Sequence, residues 1–190
     1  MRSMPSRRSK RATLPRIVIV GMMGAGKTSV GRELAGKSGS FIDLDRAIED
    51  REGRTVREIF AAEGEAAFRE LEVKMLQEVL SSSQHSVIAT GGGVITTEAG
   101  RHLLKDADAY VVWLTASNEE LARRATKSGA RPLLDTDPLA RIDELMKQRA
   151  SLYAEVANLS LETDGLSVRQ VAHLIEENIL HDTGAAGDKT

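Results

Sequence analysis

The chain has 190 residues, 41% of them hydrophobic, which suffices for one domain with its own core and points to no second domain. It contains no cysteine, so disulfide frameworks and thiolate metal sites are excluded, in keeping with a reducing cytoplasmic location. A net charge of -2 with one Trp, two Tyr and three Phe argues against nucleic-acid binding, and no apolar run reaches the ~18 residues that cross a bilayer.

The first sixteen residues carry Arg2, Arg7, Arg8, Lys10, Arg11 and Arg16 and no acid. That composition predicts a disordered basic tail over residues 1–15, with an organelle transit peptide as the alternative. Ile17-Val18-Ile19-Val20 is then short, β-branched and uninterrupted, as a parallel strand buried on both faces is. Next comes Gly21-Met22-Met23-Gly24-Ala25-Gly26-Lys27-Thr28, which fits the phosphate-loop pattern G-x-x-x-x-G-K-[ST], and Ser29 to Lys37 reads as the helix that must follow it. Gly21, Gly24 and Gly26 allow backbone angles that a Cβ forbids, so successive N–H groups can converge on one anion, aided by the positive end of the helix. The loop predicts bound nucleotide phosphates, with Lys27 on the β and γ phosphates and the Thr28 hydroxyl on Mg²⁺.

Phe41-Ile42-Asp43-Leu44-Asp45 predicts a second strand with an acidic end, its two carboxylates on one face and directed at the phosphates. A capping role for Asp45 at the start of the next helix is the competing reading. Val56 to Ala62 and Ala66 to Leu80 have helical periodicity, with Phe60, Phe68, Leu71, Met75, Leu76 and Val79 as the buried stripe. Arg69 and Glu72 on this segment fit either a surface ion pair or a substrate-binding arginine held by its glutamate.

Ser86 to Ala89 is a third strand, and Thr90-Gly91-Gly92-Gly93 follows at the edge where the phosphate loop lies. Three consecutive glycines fit close backbone approach to a small ligand or a tight structural turn. A helix at Glu98 to Lys105, a strand at Tyr110 to Leu114 and a helix at Asn118 to Thr126 make a further unit. Residues 124–137, with Arg124, Gly129, Arg131 and Pro132, have the make-up of a hinged lid able to close over a triphosphate, or of an ordinary solvated loop. Leu139 to Tyr153 with Arg149 is helical, Leu159 to Glu162 a fifth strand, Ser167 to Leu180 the closing helix, and residues 181–190 a disordered tail. Alternating strands and helices predict a three-layer α/β/α domain over residues 16–180, built on a five-stranded parallel sheet with a P-loop and a lid.

In this order, a phosphate loop, F-x-D-x-D, F-R-x-x-E, a triple glycine, R-P-L and R-x-x-x-Y resemble the shikimate kinases, phosphotransferases with an alcohol group as acceptor, of nucleoside monophosphate kinase-like fold. The resemblance covers about Ile17 to Leu180. It implies Mg²⁺-dependent transfer of the γ-phosphoryl group of ATP to the 3-hydroxyl of shikimate, on the route to chorismate and the aromatic amino acids. It implies Lys27, Asp45 and Arg131 as catalytic, with Asp45 also binding the substrate hydroxyls. Arg69 and Arg149 match the grip on the shikimate carboxylate, and Gly91, Gly92 and Gly93 match its backbone contacts. Gly24, Ala25, Gly26, Lys27, Thr28, Ser29, Arg124 and Arg131 match the ATP site, Arg124 against adenine, and Thr28 and Asp43 match the metal site. The family's adenine-lining proline is missing from Thr163 to Val168. A gluconate kinase-like enzyme would share the loop and lid without explaining Arg69, Arg149 and Asp45 together. A non-catalytic nucleotide-binding regulatory module would lack one of Lys27, Asp43, Asp45 or Arg131. The expected partners are shikimate and ATP, with no nucleic acid and no membrane, and the expected state is a monomer.

Overall fold

The computed structural model describes residues 14–36, 39–127 and 137–186, with side chains described as far as Gly184. Five strands, β1 (Ile17–Val20), β2 (Phe41–Asp43), β3 (Val87–Ala89), β4 (Tyr110–Thr115) and β5 (Leu159–Glu162), form one sheet in the order β2-β3-β1-β4-β5. Every pairing is parallel, with Ile17 opposite both Val87 and Tyr110, and Val112 opposite Leu159. The apolar run of β1 therefore lies in the middle of the sheet, and all four of its residues are buried.

Successive side chains of a strand face opposite sides, and each face here feeds a separate core. Ile17 and Ile19 pack in the layer that includes Val30, Leu121, Ile142 and Ile175. Val18 and Val20 pack in the other, with Ile48, Ile59, Phe68, Leu76 and Leu104. The helices that cover the sheet are α1 (Lys27–Ala35), α2 (Leu44–Glu52), α3 (Val56–Ser81), α4 (Glu98–Asp106), α5 (Asn118–Lys127), α6 (Pro138–Val156) and α7 (Val168–Ala186), so the expected α/β/α sandwich is the fold. Arg16 donates to the carbonyls of Leu80 and Ser82 and so ties the start of β1 to the end of α3.

Several boundaries differ from the sequence reading, for local physical reasons. β2 stops at Asp43 because Asp43, and not Asp45, caps α2: its carboxylate accepts from the Arg46 N–H while Asp45 already lies in the first helical turn. The two helical stretches at 56–62 and 66–80 are one element broken at Gly64, whose φ of 83° and ψ of 177° interrupt the ladder. A capping box of Thr55 and Glu58 starts it. Ile59 joins the expected stripe as a fully buried residue, whereas Phe60 and Leu71 are only partly buried. A 3₁₀ turn, Val94–Thr96, follows the triple glycine. α7 runs on to Ala186, past the expected end at Leu180, so residues 181–186 continue a helix instead of opening a tail. Arg131 and residues 128–136 of the expected lid lie outside the described residues, as do residues 1–13 of the basic tail.

Candidate active site

The loop between β1 and α1 curls as its glycines predict. Gly21, Gly24 and Gly26 have φ of 143°, 82° and 90°, values that side-chain-bearing residues rarely adopt. The x positions Met22 and Met23 are buried, which fixes the loop to the core. Gly26 is the left-handed cap from which α1 starts, so the helix's first amides and its dipole open at the loop. Lys27 is buried and donates to the carbonyls of Gly21 at 2.8 Å and Met22 at 3.0 Å, folded back over the loop's own backbone. The Thr28 hydroxyl donates to Asp43 Oδ2 at 2.5 Å. Residues far apart in sequence thus present two hard oxygens side by side at the mouth of the loop. That donor set suits a Mg²⁺ ion carried in on nucleotide phosphates, which needs only one or two protein oxygens. Among the described residues there is no group of three or more His, Asp or Glu able to cage a metal by itself.

At one end of the same cleft, Glu120 accepts from Arg124 Nε at 2.6 Å, and Arg124 also donates to Thr163 Oγ1 at 2.9 Å and to the Thr163 carbonyl at 3.2 Å. Hydrogen bonds from Arg123 and then Arg124 hold the Glu120 carboxyl well below its usual range. Leu166, Val168 and Val171 also line the cleft, so the chain after Thr163 supplies apolar side chains there without a proline.

At the other end lies a second, more buried cluster. Arg69 is 9% exposed, and Arg149 5%. The Arg69 guanidinium donates to Glu72 Oε2 on one side and to Glu65 Oε1, at 2.7 Å, on the other, with the rings of Phe60 and Phe68 each 5.6 Å away. Arg149 donates to the Gly92 carbonyl at 3.4 Å, and its terminal nitrogen is 3.9 Å from the same Glu65 oxygen. Tyr153, one turn further along α6 and fully buried, donates to the Gly92 carbonyl at 2.5 Å and stacks on Trp113. Burial pushes the Glu72 carboxyl up to about 7; Arg69 opposes the shift and the nearby Asp45 charge adds to it.

The three glycines divide their work. A Cβ on Gly91 would collide with Glu72 and Asp45, and one on Gly93 with the Arg69 guanidinium, whereas one on Gly92 would meet nothing nearer than 3.4 Å. Gly91 and Gly93 therefore leave room for the protein's own side chains, and Gly92 is the member with space on its Cα. None of them has a positive φ, so the requirement is space and not backbone conformation.

One cleft of about 1220 Å³ connects the two ends: Lys27, Thr28, Asp43 and Asp45 lie along it, with Arg69, Arg124 and Arg149 among its other lining residues. Of the site residues expected from sequence, Arg131 alone lies outside the described part. Glu65, Glu120, Thr163 and the anchoring role of Tyr153 were not foreseen. Glu65 and Tyr153 were detectable in principle, each being four positions from a candidate arginine on the same helix face.

A phosphate loop at the carboxyl ends of a parallel sheet, opening into one cleft with a buried arginine pair, defines a P-loop kinase of the nucleoside monophosphate kinase-like fold. Within that class the chain belongs to the shikimate kinase family, whose family model, described as shikimate kinase, matches residues 23–180. Curated relatives named shikimate kinase include one from Marinomonas sp., 42% identical over 87% of this chain and 92% of its own. Another, from Halorhodospira halophila, is 46% identical over 87% and 93%. Among solved structures, shikimate kinase from Acinetobacter baumannii in complex with shikimate superimposes with a TM-score of 0.84 at 41% identity, covering 90% of this chain and 95% of that one. The shikimate kinase from Aquifex aeolicus gives 0.76 at 30% identity, covering 88% and 98%.

Proposed function

We propose that the chain transfers the γ-phosphoryl group of ATP to the 3-hydroxyl of shikimate, giving shikimate 3-phosphate and ADP. The observation that carries this is the continuity of the cleft, in which a nucleotide-phosphate seat and a buried two-arginine pocket share one volume that Asp45 also lines. Two guanidinium groups offer paired, coplanar donors to an acceptor carboxylate, which a lysine cannot do. Asp45 accepts from the acceptor hydroxyls and takes the proton of the attacking one, which makes the oxygen a better nucleophile.

On the donor side, Lys27 exchanges the Gly21 and Met22 carbonyls for phosphate oxygens, and the glycine loop with the start of α1 holds the rest of the charge. Thr28 and Asp43 hold Mg²⁺, which when bound neutralises charge on the β and γ phosphates. Gly24, Ala25, Gly26 and Ser29 complete the phosphate seat, Arg124 lies against the base, and Arg131 meets the phosphates from the lid. Positioning of two substrates and charge compensation account for most of what phosphoryl transfer asks of a protein. We place the reaction in the cytoplasm and assign it to the monomer; no helix among the described residues is long and apolar enough to cross a membrane. A gluconate kinase-like activity leaves the buried arginine pair unexplained, and a silent sensor leaves Asp45 unexplained.

The test is ADP formation with Mg²⁺, ATP and, in parallel, shikimate, quinate and gluconate. Turnover with shikimate well above the others is expected. Absence of shikimate-dependent ADP release would overturn the assignment.

A further inference from the structure

Arg69 has contacts of two kinds. Glu72 is buried at 1% exposure, and Phe60 and Phe68 flank the guanidinium, so those contacts are part of the packed interior. Glu65 is different: its side chain is 50% exposed, it follows directly on the break at Gly64, and one of its oxygens lies 2.7 Å from Arg69 and 3.9 Å from Arg149. A single carboxylate oxygen between two buried guanidinium groups is the arrangement that the carboxylate of a bound acid would itself make.

We propose that Glu65 is an internal stand-in for the acceptor's carboxylate: it bridges Arg69 and Arg149 and must give way when an anionic acceptor binds. The idea rests on the assignment of these arginines to the acceptor carboxylate. Glu72 and the Gly92 carbonyl each engage one of the two arginines, and Glu65 is the carboxylate within 4 Å of both, where their like charges repel. Glu65 screens that repulsion and, being half exposed, can leave without abandoning a buried charge. It also has a place to go. A side cavity of about 320 Å³ is lined by Glu65, Arg141, Gln148 and Arg149, so the displaced carboxylate can turn toward the Arg141 guanidinium, which also pairs with Glu144. Arg141, with Arg69 and Arg149, already contributes to the field that holds the Glu65 carboxyl below its usual range, the Arg69 hydrogen bond being the largest influence. The consequence is selectivity: a neutral polyol gains nothing by entering, because it cannot replace the carboxylate it displaces, whereas an acid can.

The test uses the full chain and its single tryptophan. Trp113 stacks at 5.5 Å on Tyr153, which touches the Gly92 carbonyl, so its fluorescence reports on this pocket without any turnover. Binding of three probes is titrated in the wild type and in Glu65→Gln: shikimate, the hydroxyl-free acid cyclohexene-1-carboxylate, and shikimate methyl ester. The expected result is that both acids bind about fivefold more tightly to the variant, the scale of one half-exposed ion pair removed, while the neutral ester is unaffected. Unchanged or weaker binding of the acids, an equal gain for the ester, or no binding of either acid to either protein would overturn the proposal. Acid binding that tightens in Glu65→Gln, in a wild type that forms no shikimate-dependent ADP, would sustain the role of Glu65 while refuting the kinase assignment. A glutamate that only staples the helix would lower the melting temperature of Glu65→Gln without tightening either acid, and this too counts against it.

Discussion

Gly93→Ala tests whether the triple glycine exists to seat Arg69. Gly93 has φ of −110° and ψ of −6°, a conformation open to alanine, so no backbone strain accompanies the change. Its Cβ would nonetheless fall within the guanidinium of Arg69. To reach an ordinary separation of ~3.5–4.0 Å the guanidinium has to retreat by more than about an ångström. Glu72, Phe60 and Phe68 close off that retreat, so overpacking should cost about 1–3 kcal/mol of stability. Misplacing a substrate-orienting group by about an ångström costs on the order of 10² in rate, which is the loss expected in kcat/KM for shikimate. Gly92→Ala is the comparison, since its nearest neighbours are the Gly21 carbonyl at 3.4 Å, the Met23 amide at 3.6 Å and the Tyr153 hydroxyl at 3.8 Å, and Arg69 is not among them. Its loss should be roughly tenfold smaller. Steady-state kinetics with each substrate varied, together with thermal melting, measure both effects, and the KM for ATP should stay at the wild-type value in Gly93→Ala. A Gly93→Ala enzyme with unaltered KM and kcat for shikimate would refute the spatial account.

Asp45→Asn should lower turnover by about 10²- to 10⁴-fold while leaving nucleotide binding intact, as measured by stopped turnover and equilibrium titration with ATP. Because Asp43 and not Asp45 caps α2, the fold should survive the change; unfolding of Asp45→Asn would count against the catalytic role. Glu72 should impose a pH dependence, since burial raises its carboxyl from an ordinary 4.5 to about 7. Below that value the group is neutral and leaves the Arg69 charge to the acceptor, so the KM for shikimate should rise as pH passes 7, and Glu72→Gln should flatten the rise. The folded chain also binds this proton more tightly than the unfolded one, so its contribution to stability is full below about 4.5 and is lost as pH rises through about 7. The difference in melting temperature between wild type and Glu72→Gln, followed over roughly pH 5 to 8, should therefore shift against the wild type as pH rises, and a pH-independent difference would refute it.

The donor half of the site was legible in the sequence because its causes are local. A β-branched run, three glycines at fixed intervals and a lysine one residue before a threonine determine a strand, a curled loop and a helix start within a dozen residues, and no distant contact is needed to read them. The parallel sheet was legible for a similar reason, since strands alternating with helices leave few topologies open. The acceptor half depended on distances that the sequence does not contain. Whether Arg69 and Glu72 form a surface pair or a buried one is decided by the packing of α3 against the sheet, which also brings the glutamate up to Gly91 and Asp45. Thr28 meets Asp43 only because α1, on leaving β1, packs across the intervening β3 and against β2. Arg149 meets Gly92, and Glu65 meets both arginines, only once α6 and the break at Gly64 are in place. Local backbone chemistry therefore determined where a phosphate can sit, while long-range packing, which sets burial and so the strength of every charge, decided how the second ligand can be held.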